Sequence, residues 1–225
     1  MSNQPLRIFV GYDPVEAIAY HVCCNSILEH ASQPVSFTPI GLKNLPRSCQ
    51  RPRGPKDSTE FAISRFLTPW FGDFQGWALF IDCDMLFLGD VVELFGEADP
   101  EKAVSVVKHD YVPKATRKFL NQTQTTYEKK NWSSVMLFNN SDCGKLTLDY
   151  VAGAPGLDLH QFKWLDDDQI GELHPKWNFL VGEYPKSSCA LNLHYTLGGP
   201  YFEEFADCEY AEEWMAALAK ASAPM

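Results

Sequence analysis

Apolar positions in this chain come in two rhythms. Short unbroken runs bounded by turn residues predict buried strands, and stripes at helical spacing predict helices between them. Residues 6–10 (Leu-Arg-Ile-Phe-Val) form the first such run, and Gly11-Tyr12 turns after it. Asp13-Pro14-Val15-Glu16 then reads as a helix start, with Asp13 as N-cap, Pro14 at the first position and Glu16 closing a capping box. Val15, Ile18, Ala19, Val22, Cys23 and Ile27 supply the expected apolar stripe. Residues 35–40 complete a strand–helix–strand unit, whose first turn belongs at the ligand edge of a parallel sheet. Further strands are expected at 77–81, 103–107, 133–138 and 189–193. Helices are expected after Asp57-Ser-Thr-Glu60, after Gly89-Asp90, at 145–151 and, briefly, after Asp166-Asp-Asp-Gln169. A last helix is expected at 209–220, with Trp214, Met215 and Leu218 on one side. Two stretches resist either rhythm. Residues 43–56 are broken by Pro46, Pro52, Gly54 and Pro55, and 109–131 is polar and dotted with lysines, as a lid or acceptor-facing loop would be. The order of elements predicts one α/β domain over 1–225. Its nucleotide-type half covers about 1–108, a second half about 109–205, and a C-terminal helix 206–225.

The run 77–81 (Trp-Ala-Leu-Phe-Ile) ends in Asp82-Cys83-Asp84. Side chains two apart on an extended chain share a face, so the two carboxylates can converge at the carboxyl end of a strand. Two desolvated carboxylates repel, and a divalent cation relieves both costs. Oxygen ligands in such a setting suit Mg²⁺ or Mn²⁺, with phosphate oxygens filling the shell. Asp-X-Asp by itself is equally a turn or a cap, so its context decides. His194 ends another apolar run, where a neutral imidazole can complete a mixed shell acceptable to Mn²⁺. Gly198 and Gly199 follow, and would let backbone amides approach an anion.

Composition narrows the class. The chain has 225 residues, 45% apolar and 21% charged, ordinary for a globular domain. A formal charge of −10 argues against a nucleic-acid partner. The charge is uneven: Lys43, Arg47, Arg51, Arg53 and Lys56 form a cationic loop, and 203–213 is an acidic stretch. Seven cysteines without C-x-x-C spacing argue against a disulfide framework or a zinc ribbon. The N-terminus carries no signal-like run, and no apolar stretch nears the ~20 residues that span a bilayer. The expectation is a cytoplasmic protein; peripheral membrane attachment stays open.

Taken in order, these motifs resemble a family. A strand with a helix-opening Asp comes first, then the helix of Arg65, then strand-Asp-X-Asp. After these come Ser133-Ser134 before Val-Met-Leu-Phe-Asn, the pair Asp168-Gln169, Trp177-Asn178, and a strand ending in His194-Tyr-Thr. The order is similar to that of GT-A fold glycosyltransferases of family 8, the glycogenin and bacterial lipopolysaccharide galactosyltransferase group, over about residues 6–202. The resemblance implies a three-layer α/β/α fold with a mostly parallel sheet. It also implies a retaining transfer of a hexose from a nucleotide diphosphate sugar, usually UDP-linked, with Mn²⁺ (or Mg²⁺). It implies that Asp82, Asp84 and His194 hold the metal. Val10, Gly11, Tyr12 and Asp13 would meet the nucleotide, and Arg65 would face the donor. Asp168 and Gln169 would lie beside the transferred sugar.

One departure matters. The family follows its histidine with a lysine that contacts the diphosphate, and here the segment is Leu197-Gly-Gly-Pro-Tyr201. The basic loop (Lys43, Arg51, Arg53 or Lys56) is the expected substitute. Two rivals stand beside the transferase. One is a haloacid-dehalogenase-type phosphatase using Asp82 as nucleophile, disfavoured because Asp82 lies deep in the chain and Leu86 follows it. The other is a non-catalytic nucleotide-sugar binding protein.

Overall fold

The computed structural model of the protein describes residues 4–49, 51–54, 57–124 and 126–222. Its strands and longer helices run in this order: β1 (Leu6–Gly11), α1 (Ala17–His30), β2 (Val35–Ile40), α2 (Thr68–Phe71), β3 (Trp77–Ile81) and β4 (Met85–Phe87). Next come α3 (Val91–Phe95), β5 (Val104–Val106), β6 (Arg117–Lys118), β7 (Gln122–Thr123), β8 (Val135–Asn139), α4 (Leu148–Gly153) and α5 (Gly156–His160). The chain closes with β9 (Ile170–Glu172), β10 (Phe179–Leu180), β11 (Asn192–His194) and α6 (Ala211–Ser222).

The central sheet has six strands in the order β2-β1-β3-β8-β5-β9. The links β1–β2, β1–β3 and β5–β9 are parallel. The strand β8 enters antiparallel between β3 and β5. The fold is therefore the expected mixed α/β with a mostly parallel sheet. Ala78, Leu79, Phe80 and Ile81 of β3 are fully buried, as their unbroken apolar run requires. Burial of side chains the size of Leu79, Phe80 and Ile81 contributes about 1.5–3 kcal/mol each. That margin lets the strand carry Asp82 into the interior at its end. A second, smaller sheet has the order β10-β11-β4; of its strands only β11 was expected, at 189–193, and it runs from Asn192 to His194, while β4 and β10 are too short, at three and two residues, to show in the pattern.

Several local expectations are corrected. Pro14–Glu16 is a short 3-10 turn, and the α-helix begins only at Ala17. The helix buries Ala19, Val22, Cys23 and Ile27, but Val15 and Ile18 are exposed. No helix starts at Asp57, whose carboxylate instead accepts from the Gly54 amide at 2.8 Å. Arg65 sits on a 3-10 turn, Ser64–Leu67, that leads into α2. Ser133 and Ser134 lie in a 3-10 turn before β8 and not in the strand. Asp167–Gln169 is a 3-10 turn that leads into a strand, not a helix. Met215 of α6 faces out, and Trp214 is the buried anchor. The basic stretch holds two short 3-10 turns, Leu42–Asn44 and Arg47–Cys49. Among the described residues of 109–131, the regular structure is the β6–β7 hairpin and the 3-10 turn Phe119–Asn121.

Candidate active site

The strand β3 delivers Asp82 to the carboxyl edge of the sheet. There Ile81 pairs with Val10 on one side and with Val135 on the other. The Asp82 amide donates to the Ser134 carbonyl at 3.0 Å. Asp82 and Asp84 lie in the turn between β3 and β4, with Cys83 fully buried between them. The two aspartates and His194 each offer a ligand atom, and these atoms lie within 4.8 Å of one another. One buried oxygen of each carboxylate, Oδ1 of Asp82 and Oδ1 of Asp84, lacks a well-directed hydrogen bond and has only an ion-pair neighbour, Arg65 Nη1 at 2.8 Å and His194 Nε2 at 3.4 Å. An unsatisfied buried oxygen costs free energy unless something else meets it, so this donor set fits a divalent cation.

The second tier fixes the ligands. His194 Nε2 lies 3.4 Å from Asp84 Oδ1. On its other side, Nδ1 lies 2.9 Å from Asn178 Oδ1. The Asn178 amide nitrogen donates to Asn131 O and Ser134 Oγ, so Oδ1 is the acceptor and His194 Nδ1 carries the proton. Nε2 therefore faces the carboxylates: its proton serves Asp84 when no metal is bound, and without that proton its lone pair is free to ligate one. Arg65 is buried between the rings of Phe61 and Phe80, each centroid 5.2 Å from its guanidinium carbon. Its Nη1 lies 2.8 Å from Asp82 Oδ1 and donates to Ser133 O at 2.8 Å. Arg65 therefore steers Asp82.

The two carboxylates differ. Burial pushes Asp82 up to about 6, against the pull of Arg65. Burial also raises Asp84, but His194 and its hydrogen bond outweigh that and hold it below the usual carboxylate range.

The first turn is close by. A pocket of about 220 Å³ opens beside it, lined by Tyr12, Pro14, Tyr20, Pro39, Gly41 and Lys43 among others. Tyr12 and Tyr20 meet edge to face at 5.3 Å. Val10 is buried in β1. Gly11 leaves room for Phe61, whose ring would lie 2.4 Å from an added Cβ. Asp13 is buried and occupied: Oδ1 accepts from Val15 N at 3.1 Å and Oδ2 from Glu60 N at 3.0 Å.

Other expected residues are placed differently. Asp168 and Gln169 are exposed and lie where Gln169 O accepts from Ala103 N. Since β9 runs parallel to β5, that is the amino end of both strands, the opposite edge from Asp82. The resemblance placed them beside the transferred sugar, whereas here they directly precede β9, which runs in the same direction as β5 and β3. Gly198 (φ 133°) and Gly199 make room for the chain's own rings: an added Cβ would meet Phe205 at 2.6 Å and Tyr201 at 2.4 Å. Arg51 is engaged by the Val151 and Ala154 carbonyls. Arg53 is engaged by the Asp57 and Ser58 carbonyls and sits 3.9 Å from Asp13. Lys56 lies outside the described residues.

The structure also brings in groups that the pattern did not mark. Glu16 is buried, and its Oε1 accepts from Tyr201 Oη at 2.9 Å instead of closing a capping box. Burial, with Asp84 nearby, pushes it up to about 8. Lys118 lies in the field of Asp84, Glu16 and Asp82. Only its place in a lysine-dotted loop hinted at that.

No protein-family model matches the chain. Among solved structures it is similar to the galactosyltransferase LgtC in complex with donor and acceptor sugar analogs, with TM-score 0.61, 10% identity and 98% of both chains covered. It is similar to the bifunctional glycosyltransferase WbbM, with TM-score 0.65, 13% identity and 97% of this chain. It is also similar to the glycosyltransferase GlyE of Streptococcus pneumoniae TIGR4, with TM-score 0.60, 17% identity and 96% of this chain. The chain spans 50% of WbbM and 60% of GlyE. These likenesses establish the fold, which is the GT-A type of glycosyltransferases. In sequence it is 45% identical over 226 residues to Protein CDI of Arabidopsis thaliana, across 95% of this chain and 86% of that protein. The chain belongs to the family of Protein CDI and carries a GT-A glycosyltransferase fold.

Proposed function

We propose that this protein is a metal-dependent glycosyltransferase of the family 8 kind, moving a hexose from a nucleotide diphosphate sugar to an acceptor with retention. UDP is the proposed nucleotide and Mn²⁺ the proposed ion. The observation that carries this reading is the convergence of Asp82, Asp84 and His194, whose ligand atoms lie within 4.8 Å of one another at the sheet edge, with buried carboxylate oxygens that lack a well-directed hydrogen bond. A cation held there would act as a Lewis acid on the departing diphosphate. The residues supply the rest. Asn178 holds His194 in the ligating tautomer, and Arg65 holds Asp82 in place and in charge. The pocket beside Tyr12 has the size and aromatic lining that suit a nucleobase.

Transfer breaks the bond between the anomeric carbon and the β-phosphate oxygen, and its electron pair leaves with the nucleoside diphosphate. The acceptor hydroxyl oxygen bonds to the anomeric carbon, and its proton passes to the leaving phosphate. Asp168 and Gln169 have no part in this account. Asp82 as a phosphatase nucleophile fits poorly, since its carboxylate is tied to Arg65. The placement of Asp168 and Gln169 away from the site favours the non-catalytic nucleotide-sugar binder as a second reading.

Donor turnover separates them. Purified protein with a UDP-sugar panel and Mn²⁺ should release UDP slowly without acceptor. Release should stop in EDTA and fall at least about a hundredfold in Asp84→Asn. Metal-dependent binding without any release would favour the binder. Release unaffected by chelator would overturn the metal role.

A further inference from the structure

The family pattern calls for a cation on the diphosphate just after the metal-ligating histidine, and this chain has none there. A cation reaches that place from another segment. Lys118 is the last residue of β6, whose partner is β7. Its neighbour Phe119 is buried and bolts this hairpin onto the loop that follows His194. The Phe119 amide donates to Leu197 O at 2.7 Å. The Phe119 ring stacks on Phe202, with centroids 5.0 Å apart and planes 10° from parallel. Gly198 lies so close that a Cβ there would sit 3.1 Å from Phe119 Cβ. Gly198 thus makes room for this docking.

The docking leaves Lys118 beside the site. Burial lowers the readiness of its ammonium to stay charged, while Asp84, Glu16 and Asp82 act to keep it charged. Among the described residues, no ion pair holds it. Its Nζ lies 5.5 Å from the centroid of the Phe119 ring. The other cations near the carboxylates are committed or distant in role: Arg65 holds Asp82 and Ser133 O, and Lys130 reaches Gln124 Oε1 at 3.4 Å.

We infer that Lys118, carried on the β6–β7 hairpin and docked through Phe119, is the cation that binds the diphosphate of the donor and of the released nucleoside diphosphate. The inference rests on the transferase or nucleotide-sugar reading of the site. Lys118 forms no covalent bond and gives up no proton in this role. It supplies charge opposite a phosphate oxygen, as a lysine at a phosphate site does. The segment 109–131 is thereby part of the donor site and not only an acceptor-facing loop.

Calorimetric titration of the full chain with UDP, ADP and GDP, each against its own nucleoside, tests this with Mn²⁺ and again in EDTA. Lys118→Gln should weaken diphosphate binding about ten- to a hundredfold while leaving nucleoside binding unchanged. Lys118→Arg should recover most of the loss. Nucleoside binding and a thermal midpoint equal to wild type certify that the Gln variant is folded. Diphosphate affinity within about twofold of wild type in Lys118→Gln would overturn the inference and leave the site reading standing. A wild-type protein that binds none of the three diphosphates would overturn the site reading, and this inference with it.

Discussion

Glu16 shows how much a single buried carboxyl can say about a site. Sequence context makes it a capping-box partner of Asp13, yet it is turned inward onto Tyr201. Burial first, and then Asp84, raise it from an ordinary glutamate value to about 8. A raised acid favours the protonated folded state. Its contribution to stability is complete below the unfolded value of 4.5 and is lost as pH climbs through about 8. Glutamine imitates the protonated carboxyl and cannot ionise. Glu16→Gln should therefore match wild type in urea unfolding near about pH 5. It should exceed wild type by a few kcal/mol (order of magnitude) near about pH 9, measured without metal. Equal stability across that range would mean that the carboxyl is solvated. At this scale the sequence showed the ligand types at Asp82, Asp84 and His194, because short-range pattern marks strand ends. It could not show Glu16 or Lys118, whose roles depend on residues far away in the chain.

At the scale of elements, Asp13 is the clearest joint. It caps the turn before α1 and also fastens the irregular segment that precedes Arg65, through Glu60 N. Each of its oxygens already accepts a backbone amide. Asp13→Ala should cost about 2–4 kcal/mol in denaturant unfolding, a lost cap plus a lost charged hydrogen bond. Asp13→Asn should retain part of that. A cost under about 0.5 kcal/mol would show that Glu60 N finds another partner. The strands of the central sheet were readable because runs such as Trp77–Ile81 are buried from Ala78 onward. The helix expected at Asp57 failed because its side chain is captured locally by Gly54, the competition that makes aspartate as much a turn former as a cap. The sheet edge at which Asp168 and Gln169 sit was invisible, because a motif's spacing does not say in which direction the strand after it runs.

For the whole molecule, the site is a meeting of three segments: the ends of β1 and β3, the loop after β11, and the hairpin in 109–131. A ligand that bridges them stabilises the native state by mass action. Mn²⁺ and UDP together should raise the thermal midpoint by more than the sum of their separate effects. Asp84→Asn should abolish that excess, read by differential scanning fluorimetry. Strictly additive shifts would mean that the two ligands occupy separate sites. No helix among the described residues is long and apolar enough to cross a membrane.

The sequence by itself determined the α/β class, the edge of the sheet where chemistry gathers, and the three residues able to hold a cation there. All of these follow from local rules: apolar runs make buried strands, and polar residues at their ends face a crevice. Only the tertiary structure decided which neighbours complete the site. It removed Asp168 and Gln169 from it, committed Asp13, Arg51 and Arg53 to other contacts, and brought Glu16, Asn178 and Lys118 to it. These choices are made by packing between segments far apart in the chain, such as Phe119 against Leu197 and Phe202, and Glu16 against Tyr201. Distances of that kind are set by the closed fold, and no local pattern of residues encodes them.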